Sequence, residues 1–292
     1  MNIAIVIPVY NRMSITIAGL NNIQAAIDYY MINSVEKYQL FFEIVVVDDG
    51  STDGTSSFIR ENFPNIKLIN GDGNLWWSGS VNLGARYAIE TLKSSHILLW
   101  NDDTICAEDY FLQLSEALAQ RPELVNNILV SKIFWMDRKD VLFNFGCYFD
   151  PANGRKTLIG LNSHDNFDTI LPVDWSGGMG TFIPSPVLEE LNFLDSKNFP
   201  QYDGDIDFFL RAKKQGIQAY ALPKLKIYNN PETTGIHYQQ KLKDLPKIIT
   251  SNRSLHNLRK NLKFTKRHSN TLRSWAALLR GYVSMIVRLK VR

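Results

Sequence analysis

Glu43-Ile44-Val45-Val46-Val47-Asp48-Asp49-Gly50-Ser51 is the stretch on which the fold turns. A hydrophobic strand here runs straight into a cluster of carboxylates. The same happens at Ile97-Leu98-Leu99-Trp100, which is followed by Asn101-Asp102-Asp103. A third strand, Ile3-Ala4-Ile5-Val6-Ile7, ends in Pro8-Val9-Tyr10-Asn11-Arg12. Open parallel sheets bind ligands outside the carboxyl ends of their strands. Acidic groups there suit the ribose and base donors of a nucleotide and a divalent cation with oxygen ligands. The expected ligand is a metal-bound nucleotide diphosphate.

Working outward, the segments between these strands alternate in type. Ser14 to about Ser34 is helical in composition. Ser51-Thr52-Asp53 supplies cap residues for a helix running to about Asn62. Ile66 to Ile69 reads as a short strand, Asn70 to Asn74 as a loop, and Ser80 to Leu92 as a helix that leads back into the Ile97 strand. This β-α-β-α-β order predicts a mostly parallel sheet with right-handed crossovers. Further on, helices are expected over Asp109–Ala119, Pro186–Leu191 and Ile206–Gln215, and strands over Ile128–Phe134 and Val141–Phe149. Asp150 to Asp168 reads as a polar, mobile excursion near the site.

The 292 residues suffice for one large α/β domain and an appendage. Cys106 and Cys147 stand far apart with no CxxC pattern, which points to a reducing compartment and no zinc site. Met1-Asn2 leads directly into a strand, so no signal peptide is expected, and no apolar run is long enough to span a bilayer. The net charge of +3 conceals a strong asymmetry. From Lys241 to Arg292 there are 14 Lys or Arg and one acid, a balance of +13; the rest has 18 basic and 28 acidic residues, a balance of −10. The expected organisation is a body of residues 1–240, divided into a nucleotide-binding half (1–105) and an acceptor-binding half (106–240), with a basic amphipathic helical tail at 241–292. Such segregation points to a polyanionic partner.

Four clusters carry candidate chemistry, and each also has a plain structural reading. Asn101-Asp102-Asp103 is a cation site or a polar turn; adjacent carboxylates at a strand end repel one another unless a cation relieves them. Asp48-Asp49-Gly50-Ser51-Thr52 is a nucleotide contact or a strand-to-helix turn rich in caps. Asp203-Gly204-Asp205-Ile206-Asp207, with Arg211 following, holds a general base at a helix start, or simply acids that stabilise the helix dipole. Trp175-Ser176-Gly177-Gly178 permits close backbone approach to a ligand and offers an aromatic face to a sugar, or it is a loop with a core tryptophan. Trp76-Trp77 carries the same ambiguity, because adjacent side chains of an extended segment face opposite ways.

Taken together, Ile5–Arg12, Val45–Thr55 and Leu99–Asp103 resemble an inverting family 2 glycosyltransferase of the GT-A fold. Asn74-Leu75-Trp76-Trp77-Ser78-Gly79-Ser80-Val81-Asn82-Leu83-Gly84 and Gly204–Phe208 resemble its bacterial rhamnosyltransferase-like branch. The resemblance spans roughly residues 1–235. It implies a GT-A, Rossmann-like mostly parallel sheet carrying a basic C-terminal helical extension. It implies that Pro8, Tyr10, Asn11 and Arg12 line the nucleotide pocket, that Asp48 or Asp49 contacts the base, and that Asn82 sits near the donor. Asn101-Asp102-Asp103 takes the place of a DXD-type motif, with Asp103 as ligand to Mg²⁺ or Mn²⁺. Asp205 matches the catalytic base. Trp76, Trp77, Trp175, Gly177, Gly178, Asp203 and Arg211 are the candidate acceptor contacts. Two departures stand out. Gly204 replaces the usual acid before the base, and the downstream metal-ligand histidine has only Asn229, Asn230 or His237 as counterparts.

The resemblance implies transfer of a sugar from a nucleotide diphosphate donor, dTDP-rhamnose or a UDP-hexose, to a glycan or polyprenyl-diphosphate-linked glycan. The setting would be bacterial surface polysaccharide synthesis, in the cytoplasm at the inner face of the membrane. The tail supports that setting. Leu272, Trp275, Leu279, Tyr282, Val283, Ile286 and Leu289 recur at helical spacing opposite Arg273, Arg280 and Arg288, which suits an anionic membrane surface. Docking on the body or a homodimer seam is the other reading, and nucleic acid is not expected as a partner. The rival functions are a nucleotidyltransferase acting on sugar phosphates, which lacks its glycine- and basic-rich phosphate loop here, and a non-catalytic carbohydrate-binding protein, against which Asp205 argues.

Overall fold

The computed structural model describes residues 1–34, 39–230 and 241–291. The first half alternates as expected: β1 (Asn2–Val9), α1 (Met13–Asn33), β2 (Phe41–Asp48), α2 (Thr55–Asn62), β3 (Lys67–Asn70), α3 (Trp76–Glu90) and β4 (His96–Leu99). Then come β5 (Ile105–Cys106), α4 (Tyr110–Gln120), β6 (Ile128–Trp135), β7 (Leu142–Asn144), β8 (Cys147–Asp150), β9 (Arg155–Leu158), β10 (Leu171–Val173) and β11 (Thr181–Pro184). The chain continues through α5 (Ser185–Glu190), α6 (Gly204–Lys214), β12 (Ala219–Asn229), α7 (Leu245–Thr250), α8 (Leu258–His268) and α9 (Leu272–Val291).

One sheet organises the molecule, in the order β10-β12-β6-β11-β4-β1-β2-β3. β1 pairs in parallel with both β2 and β4, so Val6 lies between Val45 and Leu99. β11 enters antiparallel between β4 and β6. Alternate residues of the central strands bury on opposite faces: Ala4, Val6, Val45 and Val47 on one, Ile3, Ile5, Ile7 and Val46 on the other. Burial on both faces explains why these strands read as unbroken apolar runs. Each such valine or isoleucine side chain contributes about 1.5–3 kcal/mol. The register therefore fixes where β1, β2 and β4 end, and their polar extensions emerge side by side.

The structure departs from expectation in three places, two in the second half and one in the first. The single strand expected over Val141–Phe149 is two, β7 and β8, because Gly146 turns the chain with φ +74°. The excursion at 150–168 is tied down. β9 pairs with β8, and the ammonium of buried Lys132 bonds both carboxylate oxygens of Asp165 at 2.8 Å. α3 begins at Trp76 rather than Ser80.

The basic C-terminal segment is fastened to the body. Phe264 of α8 packs against Phe149 and Phe199. Arg267 bridges Asp195 and fully buried Asp207, and His268 bonds the same Asp207 oxygen at 2.8 Å. α9 then leans on α7 through Tyr282, Met285, Ile286 and Leu289. The expected single stripe on α9 is thus divided. Leu272, Leu279, Val283 and Val287 are rotated away by roughly a quarter-turn and stay exposed. No helix among the described residues is long and apolar enough to cross a membrane.

Candidate active site

Outside the ends of β1, β2 and β4 lies an open cavity of about 1590 Å³. Ligand pockets commonly occupy about 300–1,000 Å³, so this one has room for two substrates. Of the sequence candidates, Pro8, Tyr10, Asn11 and Arg12 line it from β1 and its extension, and Asn101, Asp102 and Asp103 from the end of β4. Asp49, Trp76 and Trp77 form one wall; Gly177, Gly178, Asp203 and Asp205 form another.

Asp48 and Asp49 divide their tasks. Asp48 is buried and accepts bonds from the Ser51 amide, at 2.8 Å, and the Ser56 hydroxyl. Asp49 faces the cavity, yet its carboxylate already accepts the amides of Gly73, Leu75 and Trp76 at 2.9–3.2 Å. Its charge therefore fixes the start of α3, where orphan N–H groups and the helix dipole both favour an anion. Asn11, with φ +51°, accepts the Thr52 amide at 2.7 Å and so braces the loop after β1 against the loop after β2.

At the end of β4 a guanidinium spans two carboxylates. Arg12 lies 3.2 Å from Asp102 and 2.7 Å from Asp103. Burial pushes Asp102 up to about 7, against the pull of Arg12. Asn101 accepts the Trp77 indole N–H at 3.0 Å, so that tryptophan is a wall held in place rather than a free platform. Gly178 serves the same purpose: a Cβ there would overlap the Trp77 ring.

Across the cavity, α6 starts at Gly204, with Asp205 in its first turn. Asp205 accepts the Ile206 amide at 2.8 Å. Burial raises it to about 6, and neighbouring Asp203 adds to the rise. Asp203 itself is held at about 2, because Lys156 and Lys260 outweigh the effect of its burial. Gly204 is obligatory, since a Cβ would meet the Ser78 hydroxyl and the Phe199 carbonyl. No acid fits at 204, and the neighbouring carboxylate comes from Asp203 instead.

Four candidates have structural tasks. Asn82, expected near the donor, spends its amide on the backbone of Leu194, donating at 2.8 Å and accepting at 3.0 Å. Trp175 is a core residue whose indole bonds the Tyr148 carbonyl. Arg211 turns away from the cavity to hold Asp207 and the carbonyls of Leu191 and Phe193. Asp48 is the fourth. Among the counterparts of the metal histidine, Asn229 lines the cavity, Asn230 follows it at the end of β12, and His237 lies outside the described residues. The sequence reading missed Gln201 and Tyr202 ahead of α6, and Lys247 and Arg253 from the C-terminal segment, all of which face the cavity. It also missed Lys156 and Lys260, although paired acids in a buried setting are themselves a signal that cations must be near.

Among the described residues, no group of three or more His, Cys, Asp or Glu forms a metal cage. Mg²⁺ is commonly held by one or two carboxylates together with substrate phosphates and water. Asp103, facing the cavity with one oxygen on Arg12, fits that mode of binding.

Residues 4–167 match the family model described as glycosyl transferase family 2. The low-salt glycan biosynthesis hexosyltransferase Agl10 of Haloferax volcanii is 28% identical over 183 residues, covering 60% of this chain and 54% of that protein. The chain therefore spans about half the length of this relative. Mannosyltransferase PcManGT from Pyrobaculum calidifontis, solved with GDP-Man and Mn²⁺, superposes with a TM-score of 0.57 at 17% identity over 95% of this chain and 68% of that one. TarS from S. aureus in complex with UDP-GlcNAc superposes at 0.56, with 16% identity over 92% and 72% of the two chains. GalNAc-T7 with UDP, GalNAc and Mn²⁺ superposes at 0.57, with 12% identity over 94% and 55%. At these identities the likeness establishes the fold, the GT-A arrangement. The family match covers more than half the chain and contains the ends of β1, β2 and β4 that build the cavity: the chain belongs to glycosyl transferase family 2.

Proposed function

We propose that this chain is an inverting glycosyltransferase that moves a sugar from a nucleotide diphosphate donor to a hydroxyl of a glycan acceptor. The observation that supports this reading is one cavity bordered by the polar extensions of β1, β2 and β4 on one side and by Asp205 on the other. Asp205 accepts the proton of the acceptor hydroxyl as that oxygen attacks the anomeric carbon. One displacement inverts the configuration, through an oxocarbenium-like transition state. An ordinary carboxylate near 4 is a weak base; one raised to about 6 binds the proton more tightly while remaining ionised at neutral pH. Asp103, with Asn229, Asn230 or His237 as the candidate further ligand, would hold Mg²⁺ or Mn²⁺, which would supply charge neutralisation for the departing diphosphate.

The donor is a dTDP-rhamnose or UDP-hexose, and the acceptor a lipid-linked glycan of surface polysaccharide synthesis. The hexosyltransferase relative supports a hexose donor. The exposed Leu272, Leu279, Val283 and Val287 on α9, beside exposed Arg273, Arg280 and Arg288, support peripheral attachment to the inner face of an anionic membrane. Mass spectrometry after incubation with a panel of nucleotide sugars and Mn²⁺ tests the reading. One donor should be consumed, by slow hydrolysis or by transfer; no consumption of any donor with any acceptor sugar refutes it.

A further inference from the structure

A base must be ionised to work, yet Asp205 lies where burial favours the neutral acid. Two lysines pair with its neighbour Asp203. Lys156 of β9 approaches one oxygen of Asp203 to 2.5 Å, and Lys260 of α8 approaches the other to 2.8 Å. Lys260 is only 5% exposed, so its ammonium is removed from water as well as paired. Each lysine also lies over a ring: Lys156 is 4.1 Å from the centre of Phe264, and Lys260 is 5.5 Å from that of Tyr202. Asp203 has φ +66°, in the left-handed region that aspartate enters more readily than most residues. The two ion pairs fix the carboxylate that this backbone presents.

The charges sum to a definite requirement. Around Asp205 stand Asp203 on the lead-in to α6, Lys156 from β9, Lys260 from α8 and the Cys147 thiol from β8, which burial pushes up and keeps neutral. The Tyr202 hydroxyl, next to Asp203, is likewise raised by burial and neutral. Two lysines against Asp203 alone leave one positive charge in excess. The group is balanced only when Asp205 carries its negative charge. In a poorly solvated setting an imbalance of one charge is costly, so this arithmetic bears directly on the state of the base.

We propose that Lys156 and Lys260 are positioning residues for the transfer reaction: they balance the paired carboxylates Asp203 and Asp205, and through Lys260 the C-terminal segment completes the site by keeping the base ionised. This rests on the glycosyltransferase reading, with Asp205 as the base. The residues were invisible in the motif pattern because they come from a hairpin and a helix on opposite sides of α6 in sequence.

The test is a titration of the full-length protein. ¹³C-carboxyl NMR, with the Asp205 signal assigned by its loss in Asp205→Asn, follows protonation in wild type, Lys156→Met, Lys260→Met and Asp203→Asn. The wild-type midpoint should lie near 6. Removing either lysine should raise the proton affinity of Asp205 by about tenfold, one pH unit. Asp203→Asn, which frees both lysines, should lower it. The acid limb of kcat/KM should move with each midpoint, activity of the Met variants should recover at pH 9, and Lys156→Arg and Lys260→Arg should restore the wild-type limb. Unmoved midpoints in both Met variants, or a shift of the same sign in Asp203→Asn, overturn the proposal, as does an activity loss that is equal at every pH. If a Met variant does not fold, the sign of the Asp203→Asn shift decides. The titration needs no turnover, so a wild type that transfers no sugar would refute the function separately from the role of the two lysines.

Discussion

Asp205→Asn should separate the functional and energetic roles of the proposed base. Burial raises Asp205 from an ordinary 3.8 to about 6. For an acid whose folded value lies above its unfolded value, the folded state holds the extra proton between the two. Stability therefore falls as pH rises from about 4 to 6, and the full cost of ionising the group persists above 6. At 1.36 kcal/mol per unit the cost at pH 8 is about 3 kcal/mol, and at pH 4 about 0.5 kcal/mol. Asparagine pays neither. It does lose one accepting oxygen, which costs about 1 kcal/mol, but at both pH values alike. The stability difference between variant and wild type should thus shift in favour of the variant by about 2.5 kcal/mol between pH 4 and pH 8. With an unfolding entropy near 2.1 cal/mol/K per residue, a chain of this length converts that into a change of about 4 °C in the Tm difference. Scanning calorimetry at the two pH values measures it, and transfer assays should show a loss of about 10²-fold or more. A Tm difference independent of pH would refute the burial argument. Near-normal turnover would move the base to another carboxylate.

Asp103→Ala should remove the part of nucleotide diphosphate affinity that depends on Mn²⁺; calorimetry showing the same metal-dependent gain as wild type would take the metal away from this residue. Gly178→Ala forces a methyl into the Trp77 ring, and such overpacking costs about 1–3 kcal/mol. It should also break the Trp77 bond to Asn101 and weaken donor binding, whereas unchanged affinity and Tm would show that the wall yields freely. Leu279→Asp with Val283→Asp alters only the exposed face of α9, so the fold should survive while sedimentation with anionic vesicles is lost. Retained, salt-sensitive sedimentation would assign binding to charge alone.

The sheet and its three polar strand ends were legible because their signals are local. An apolar run ending in acids needs no partner to be recognised. What stayed hidden depends on atoms distant in sequence. α3 starts at Trp76 because Asp49, more than twenty residues upstream, accepts the amides there, and no cap residue stands beside the helix to announce it. Trp175 and Trp77 look alike in a string; the first packs inward beside Tyr148, and only the second reaches the cavity. Arg211 carried a usable signal, since Asp207 and Arg211 are four residues apart on one helix, the spacing of an intrahelical ion pair. That pairing already argues that Arg211 is occupied.

The charge of the C-terminal segment shows most clearly how a sum misleads. A balance of +13 reads as attraction for an external polyanion. Yet Lys260 and Arg267 are spent on Asp203, Asp195 and Asp207 of the body, and those acids belong to the −10 on the other side. Part of the segregation is therefore an internal interface, drawn by sequence as two opposed totals. The described α9 arginines that remain exposed are Arg273, Arg280 and Arg288, worth about 1 kcal/mol each near an anionic leaflet. For the proposed membrane attachment, three such contacts would give only weak, salt-sensitive binding, and the apolar Leu279 and Val283 would have to supply the rest. The same segment thus has two faces: an inner one that brings Lys260 to Asp203, and an outer, exposed one of mixed arginine and aliphatic side chains, for which membrane attachment is proposed. A substitution that disturbs one should leave the other measurable, because α8 carries the first and the outer side of α9 the second.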